Sequence, residues 1–162
     1  MSKVNAYETT AGVVRIAQSS FAGFLLKTAD GTILDKFIQA DKYVTTPDQR
    51  QDSDSYRDGY GELHRTVLSN VVTDLKITTV PMTLEEKLCF FDAIYSGLEE
   101  KAERKVTLTY WNDETHDYCT DTFYIPDIKF TIHHYDDKTI YYDAAEIEFI
   151  GYGEEREDED SE

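Results

Sequence analysis

The side chains with the most obvious potential for metal chemistry are a histidine and a cysteine close together in the sequence. His116 and Cys119 lie three residues apart, a spacing found in metal-binding loops. A structural zinc site needs four ligands, usually supplied as two such pairs, and this sequence contains no second pair. We therefore predict no metal ligands in this chain.

A run of aspartates from Asp52 to Gly59 superficially matches the start of a calcium-binding EF-hand loop. Counted from Asp52, the sixth position is Arg57 where the loop needs glycine, and the twelfth is Leu63 where it needs glutamate. Counted from Asp54 instead, the twelfth position is Arg65. Neither register is an EF-hand, and an irregular cation site is left as an open alternative.

The sequence lacks the motifs of nucleophilic catalysis and of phosphate binding. It has no Gly-x-Ser-x-Gly string, no cysteine beside a glycine-rich turn and no glycine-rich phosphate cradle. Paired carboxylates carry little information, because 33 acidic residues among 162 make such pairs almost inevitable. We expect neither catalytic residues nor a cofactor, and therefore no enzyme.

The excess of acidic residues limits the kinds of molecule that this protein is expected to bind. The chain has 16 basic and 33 acidic residues and a formal net charge of −17, a surface that repels phosphate backbones and anionic lipid. We expect no direct binding to nucleic acid or to membranes. Two cysteines are too few for a disulfide scaffold and are typical of a reducing compartment. The first residues lack the apolar region of a signal peptide.

Alternating apolar residues predict four strands in the last third of the chain. Val106, Leu108 and Tyr110 share one face of the first strand, and a returning strand covers residues 118–125. Pro126 should end that strand because proline cannot donate a ladder hydrogen bond. A second hairpin is predicted from residues 128–132 and 139–150.

One helix is predicted after a strand at residues 71–80. Thr83 and Glu86 form a capping box, and an apolar stripe follows at helical spacing. Because such a stripe normally faces the core, we expect it to pack on a sheet; it consists of Leu84, Leu88, Phe91, Tyr95 and Leu98.

Two further segments are predicted to contact other molecules. Residues 21–38 read as a hairpin with Asp30 and Gly31 in a type I′ turn, and its strands are apolar on both faces, so the hairpin either lies inside the sandwich or turns one face to another molecule. Residues 39–65 read as a long loop that becomes ordered against a partner, with an exposed mobile loop as the alternative. Tyrosine and arginine dominate interface energetics, so the predicted interface residues of this loop are Tyr43, Arg50, Tyr56, Arg57 and Arg65. Asp30 and Gly31 form the second predicted contact.

The predicted organisation is a single β domain over residues 1–153, followed by an acidic tail. Residues 154–162 contain seven acids and one arginine and no apolar residue, which predicts disorder.

Three stretches of the sequence resemble a family of small uncharacterised phage and prophage proteins. They run over residues 46–58, 61–68 and 102–128, and the resemblance covers roughly residues 38–152; the first two read Thr46-Pro47-Asp48-Gln49-Arg50-Gln51-Asp52-Ser53-Asp54-Ser55-Tyr56-Arg57-Asp58 and Gly61-Glu62-Leu63-His64-Arg65-Thr66-Val67-Leu68. Members resemble tail-tube and distal-tail proteins. The resemblance implies a mainly β (α+β) fold, an antiparallel sandwich or half-barrel with one flanking helix and a long inter-strand loop.

The same resemblance implies a non-enzymatic structural protein of the phage tail, in the tube, a completion ring or the distal end. Such a subunit would be synthesised in the bacterial host cytoplasm and would associate in the virion tail with itself, into a ring, and with neighbouring tail proteins. An acidic surface suits a conduit along which DNA must slide. The first alternative is an acidic phage-encoded binding module that imitates DNA and inhibits a host protein, and the second is a small enzyme or metal protein, which metal analysis of the purified protein would reveal.

Overall fold

The computed structural model describes residues 3–8 and 14–155, and side chains from residue 19 onward except Glu99. In these residues it contains thirteen strands, one α-helix, and 3-10 turns at Asp35–Phe37 and Ala40–Lys42. The elements are β1 (Lys3–Glu8), β2 (Val14–Ser19), β3 (Leu26–Thr28), β4 (Val44–Arg57), β5 (Leu63–Thr78), β6 (Met82–Thr83), α1 (Leu84–Tyr95), β7 (Leu98–Glu100), β8 (Lys105–Asn112), β9 (Asp117–Tyr124), β10 (Ile132–Tyr135), β11 (Ile140–Tyr142), β12 (Glu146–Gly151) and β13 (Glu154–Glu155).

The strands form one large antiparallel sheet and two small ones. The large sheet runs β13-β5-β12-β9-β8-β3. In addition, β4 pairs with β5, and β7 pairs with β8. A second sheet has the order β10-β11-β6, and β1 pairs with β2. In the described residues β3 and β4 do not pair with each other, so the large sheet is not a closed barrel. The predicted mainly β fold, an antiparallel sandwich with one flanking helix, is confirmed.

The core lies against the inner face of the large sheet, on the side chains that alternation predicts. Val106, Leu108 and Tyr110 of β8 are all buried, and so are the inward residues of β12. Phe90 and Ile94 of α1 cover them and belong to the same cluster of buried residues. These contacts remove large apolar side chains from water, the main favourable term in folding.

Helix α1 begins where predicted but turns a different stripe inward. The Thr83 hydroxyl accepts a hydrogen bond from the Glu86 amide at 3.3 Å, so the N-cap is confirmed. Leu88 of the predicted stripe is 61% exposed, whereas Phe90 is fully buried. The prediction that the stripe faces the sheet is therefore wrong for Leu88 and Tyr95, which are exposed, whereas Phe91 and Leu98 of the same stripe are half-buried against the core. The helix carries apolar residues on two adjacent stripes, and its own periodicity does not say which one meets the sheet.

The second C-terminal hairpin differs from its prediction. Residues 128–131 form no strand, and the segment predicted at 139–150 divides into β11 and β12. Strand β11 belongs to the small sheet. The chain then crosses to the large sheet, where β12 pairs with β5 and β9. The Ala145 amide donates to the Thr79 hydroxyl at 3.0 Å where the chain crosses between the sheets. Long-range pairing with β5 therefore overrides the local hairpin pattern.

The N-terminal hairpin is short. Strand β3 pairs with β8. Its pairing with the returning segment of the predicted hairpin is a single β-bridge between Lys27 and Ile33, after which the 3-10 turn at Asp35–Phe37 begins. The turn loop has three residues, and among them only Gly31 has a positive φ, of 96°. The type I′ prediction is therefore wrong, since that turn needs positive φ at two positions.

The acidic tail begins as a strand. Glu154 and Glu155 form β13 and pair with Val71 and Asn70 of β5, so the prediction of disorder is wrong for these two residues. Residues 156–162 lie outside the described residues. The longest described helix has 12 residues, and no described helix has the length and hydropathy to span a bilayer.

Candidate assembly interface

The predicted long loop at residues 39–65 is instead mostly one side of a long β-hairpin. Strand β4 pairs with β5 from Val44 opposite Lys76 at the base to Arg57 opposite Leu63 near the tip. The loop prediction is therefore wrong. Strand β4 is nearly free of aliphatic residues, so it lacks a hydrophobic strand signal, and backbone pairing with β5 makes it a strand.

The outer half of this hairpin, residues 51–70, is here called the arm. Every residue from 61 to 70 is exposed, and from 51 to 60 only Ser53 and Asp58 are half-buried. Strand β5 contributes eight residues to it, a length of about 25 Å at the usual rise per residue. The arm is thus a two-stranded ribbon with both faces open to solvent.

The two faces of the arm are chemically different. In β5 the odd-numbered residues from Val71 to Ile77 are buried, and Leu63, Arg65 and Val67 continue that row beyond the body. Arg57 and Asp52 lie opposite Leu63 and Val67 and share their face. This inner face is therefore an uncovered extension of the core-facing row, and it carries both arginines of the arm.

The outer face of the arm carries polar and aromatic contacts. Tyr56 stacks on His64 with ring centroids 5.0 Å apart, and Leu68 lies further along the same face. Leu68 and Val67 are equally accessible, at 49% and 46% exposed. The two neighbouring side chains therefore differ in the face they occupy and not in exposure.

Polar contacts within the arm hold its shape. Arg65 donates from Nε and Nη2 to the two carboxylate oxygens of Asp52, at 3.0 and 2.6 Å. These hydrogen bonds lower the pKa of the Asp52 carboxyl and raise that of the Arg65 guanidinium. Exposed pairs of this kind contribute little stability. The arm is therefore ordered but weakly held.

The tip is closed by Asp58. Its carboxylate accepts hydrogen bonds from the amides of Tyr60 and Glu62 at 2.9 and 3.0 Å. The contact with His64 at 2.9 Å is the main cause of the lowered pKa of Asp58.

Oxygen and nitrogen atoms of Asp58, Glu62 and His64 lie within 4.8 Å of one another. Because the Asp58 carboxylate is already held by two backbone amides and by His64, this proximity does not define a metal site. Asp52, the first residue of the segment that superficially matches an EF-hand loop, is hydrogen-bonded to Arg65.

The free edge of β4 is irregular. Its pairing with β5 shifts register at three places, and Pro47 lies at the first of them. Asp48 and Asp54 have positive φ values of 46° and 53°. Bulges, proline and charge are the means by which edge strands avoid pairing with another chain. The side-chain faces of the arm are therefore better suited to contact than this edge.

A buried polar cluster anchors the root of the arm, and sequence analysis missed it. The Asp48 carboxylate contacts Thr73 of β5 at 3.3 Å and accepts from the Asn112 amide at 3.2 Å. The Tyr110 hydroxyl donates to Asp121 at 2.5 Å. Burial raises the pKa of Tyr110, and the hydrogen bond to Asp121 adds to the shift. Alternation already put Asp121 in the inward row of β9, a signal that could have revealed this cluster.

The predicted loop residues divide between the arm and the body. Tyr56, Arg57 and Arg65 lie on the arm, where the Arg57 guanidinium also donates to the Gly61 carbonyl oxygen at 2.8 Å. Arg50 lies at the root, donates to the Asp48 carbonyl oxygen at 3.1 Å and approaches the Glu114 carboxylate at 4.0 Å.

Tyr43 is the exception, because its ring packs against the core. Its hydroxyl and that of Thr45 are buried, and within the described part of the chain neither makes a well-formed hydrogen bond. Burial raises the pKa of Tyr43 to about 12. Tyr43 is therefore a residue of the body and not of an exposed loop.

Asp30 and Gly31 are exposed but lie apart from the arm. The Ser96 hydroxyl, directly after α1, donates to the Asp30 carboxylate at 3.4 Å, and Thr28 donates to its other oxygen. Hydrogen bonds from Thr28 and Thr32 lower the pKa of Asp30. The structure does not bring this turn together with the other predicted interface residues.

The outward stripe of α1 lines an apolar groove, here called the α1 groove. Phe91 contacts Phe130 and Tyr95, with ring centroids 5.5 and 5.4 Å apart. The Lys87 ammonium group lies 4.0 Å from the centroid of the Phe130 ring, a cation–π contact. The groove is lined by Leu84, Lys87, Leu88, Phe91, Asp92, Tyr95 and Phe130.

A family model matches residues 19–152, a span that includes the arm and the α1 groove. The chain belongs to a family of unknown function, DUF6711. No curated protein and no solved structure matches it. Membership of DUF6711 therefore assigns no activity, and the arm and the α1 groove are the features of the described residues that bear on function.

Proposed function

We propose that this protein is a non-enzymatic structural subunit of a phage or prophage tail, in the tube, a completion ring or the distal end. The observation that carries the proposal is the arm, an ordered ribbon with both faces exposed. A two-stranded hairpin is at best marginally stable alone in water. Docking on another subunit would cover the exposed Leu63 and Val67 of its inner face.

The charge of the arm supports self-association. The whole chain carries −17, and the arm as a whole, with four acids and two arginines, is similarly acidic; its inner face differs, because it carries both arginines, and Arg65 is paired there with Asp52. Copies of a strongly acidic chain repel one another, and the repulsion is smallest where charge is locally balanced. The inner face of the arm is such a place, because Arg57 and Arg65 stand there against the single acid Asp52, and an acidic remainder suits a DNA conduit.

The test is removal of the arm. Residues 51–70 are replaced by Asn-Gly between Arg50 and Val71, which are opposite each other in the hairpin, so the turn closes the ladder at a natural pair. Light scattering coupled to gel filtration and negative-stain electron microscopy measure assembly. We expect rings or larger oligomers for the full chain and a folded monomer for the shortened one.

The milder variant Arg57→Asp should leave the monomer folded and weaken assembly. Tyr60→Ser is its matched control, because Tyr60 is exposed at the tip outside the paired strands. Circular dichroism checks the fold of each variant. Normal assembly without the arm, or a full chain that stays monomeric at high concentration, would contradict the proposal.

Placement in the tail is tested separately, by antibody labelling of purified virions. Gold label on the tail supports the proposal, and virions without the protein contradict it. Stoichiometric capture of a host nucleic-acid-binding protein by a monomeric chain would instead support the DNA-mimic alternative.

A further inference from the structure

We propose that the inner face of the arm docks in the α1 groove of a second copy of this chain. This inference rests on the proposed function, since it names the surface that receives the arm. Two exposed apolar surfaces of one chain would then cover each other. One is the row containing Leu63 and Val67, and the other is the groove around Leu88 and Phe91.

Charge complementarity identifies the second copy as the occupant. The inner face of the arm carries Arg57 and Arg65 against one acid, Asp52, to which Arg65 is paired, so this face is net positive in a chain of net charge −17. One rim of the α1 groove carries Asp92, and Glu85, which does not itself line the groove, lies seven residues earlier on the same side of the helix. Hydrogen bonding to Thr139 lowers the pKa of Glu85, which keeps that side of the helix charged.

The opposite rim of the groove does not repel the arginines strongly. Lys87 lies between the rings of Phe130 and Tyr142, 4.0 and 4.3 Å from their centroids. Its charge is partly offset by the negative faces of these rings. The groove therefore presents apolar walls with the carboxylate of Asp92 on one rim, where an arginine of the arm can pair, while the ammonium group of Lys87 on the other rim is engaged by two rings.

The two surfaces also agree in length. From Leu63 to Val67 the arm advances about 13 Å at the rise of a strand. From Leu84 to Tyr95 the helix advances about 16 Å. The inner row of the arm can therefore lie along the groove with both leucine and valine in contact with it.

The contact must join different copies through different surfaces. Across the described residues, the arm makes no hydrogen bond, ion pair or ring contact with α1 of its own chain. An arm-to-groove contact leaves each copy with one free arm or groove until a ring closes. This heterologous geometry allows a complementation test.

The test compares three single variants by sedimentation velocity at matched concentrations. Val67→Asp charges the inner face and Leu88→Asp charges the groove; both side chains are substantially exposed, so both variants should fold. We expect each to weaken assembly at least tenfold. Leu68→Asp is the matched control on the outer face, with nearly the same exposure as Val67, and we expect less than a threefold effect.

The mixture of the two defective variants is the decisive measurement. A Val67→Asp copy keeps an intact groove, and a Leu88→Asp copy keeps an intact arm. An equimolar mixture should therefore form 1:1 dimers and stop there. No dimer in the mixture would overturn the docking inference.

The outcomes also separate this inference from the proposed function. If removal of the arm abolishes assembly but Leu88→Asp assembles normally, the groove is the wrong site and the proposed function stands. If the chain without its arm assembles normally, both fail. An equal loss for Leu68→Asp and Val67→Asp would show that the inner face is not selective, and would overturn the docking geometry.

Discussion

The body and the arm are built from the same two strands, yet one half of the hairpin is covered and the other is not. In β5 the odd-numbered residues are buried from Val71 to Ile77 and exposed from Leu63 to Ser69. The alternation keeps the same phase across the register shift opposite residues 67–71, while the elements that cover the body end there. Strand alternation therefore specifies which side chains share a face, and neighbouring elements decide whether that face is buried.

The largest contrast between body and arm should appear when a body residue is truncated. Phe90 is fully buried and contacts Phe37, with ring centroids 5.1 Å apart. Phe90→Ala should lower the free energy of unfolding by about 3–5 kcal/mol, because it leaves a cavity in the core. Urea unfolding followed by circular dichroism measures the change. A loss below about 1 kcal/mol would contradict the assignment of this helix face to the core.

A half-buried residue of the body, Tyr43, should give an intermediate effect through the pH dependence of stability. The pKa of Tyr43 is raised from 10.0 to about 12 in the folded chain. Between these values the unfolded chain loses the proton first, so stability is complete below pH 10 and falls as the pH rises toward 12. The loss for Tyr43 amounts to about 2–3 kcal/mol.

Urea unfolding at pH 8 and at pH 11 compares the native chain with Tyr43→Phe. The variant should lose less stability between the two pH values, since it has no phenol to ionise. Phenylalanine should be tolerated at pH 8, because the Tyr43 hydroxyl is buried without a well-formed hydrogen bond among the described residues. The same pH dependence in both proteins would show that Tyr43 is not buried as described.

The smallest effect on stability should come from the arm itself. Val67→Ala should change the free energy of unfolding by less than about 0.5 kcal/mol, as substitutions at exposed sites usually do. The measurement is made on dilute protein, where copies are dissociated, because association would add to the apparent stability. A loss comparable to that of Phe90→Ala would mean that the inner face is already covered within one chain.

Much of the body was predictable because its signals are local. Val106, Leu108 and Tyr110 alternate along β8, and the sheet buries all three as expected. Thr83 caps α1 because its hydroxyl lies within reach of the Glu86 amide, three residues away. Arg57 and Arg65 were predicted interface residues from their type alone, and that role is still a prediction.

The arm and the groove were not predictable because their signals are long-range. Strand β4 has almost no aliphatic residues and is a strand through its pairing with β5. Asp48 is buried because its bulge brings it to Asn112 of another strand. No pattern of spacing along the chain records such contacts.

By itself, the sequence determined the alternation of the strands, the start of the helix and the excess of acid, since these depend on residue type and on neighbours a few positions away. Only the tertiary structure decided that Phe90 and not Leu88 faces the core, and that Leu63 and Val67 extend the core row into solvent. The physical reason is that burial depends on which distant surface reaches a side chain, and that surface is created by packing.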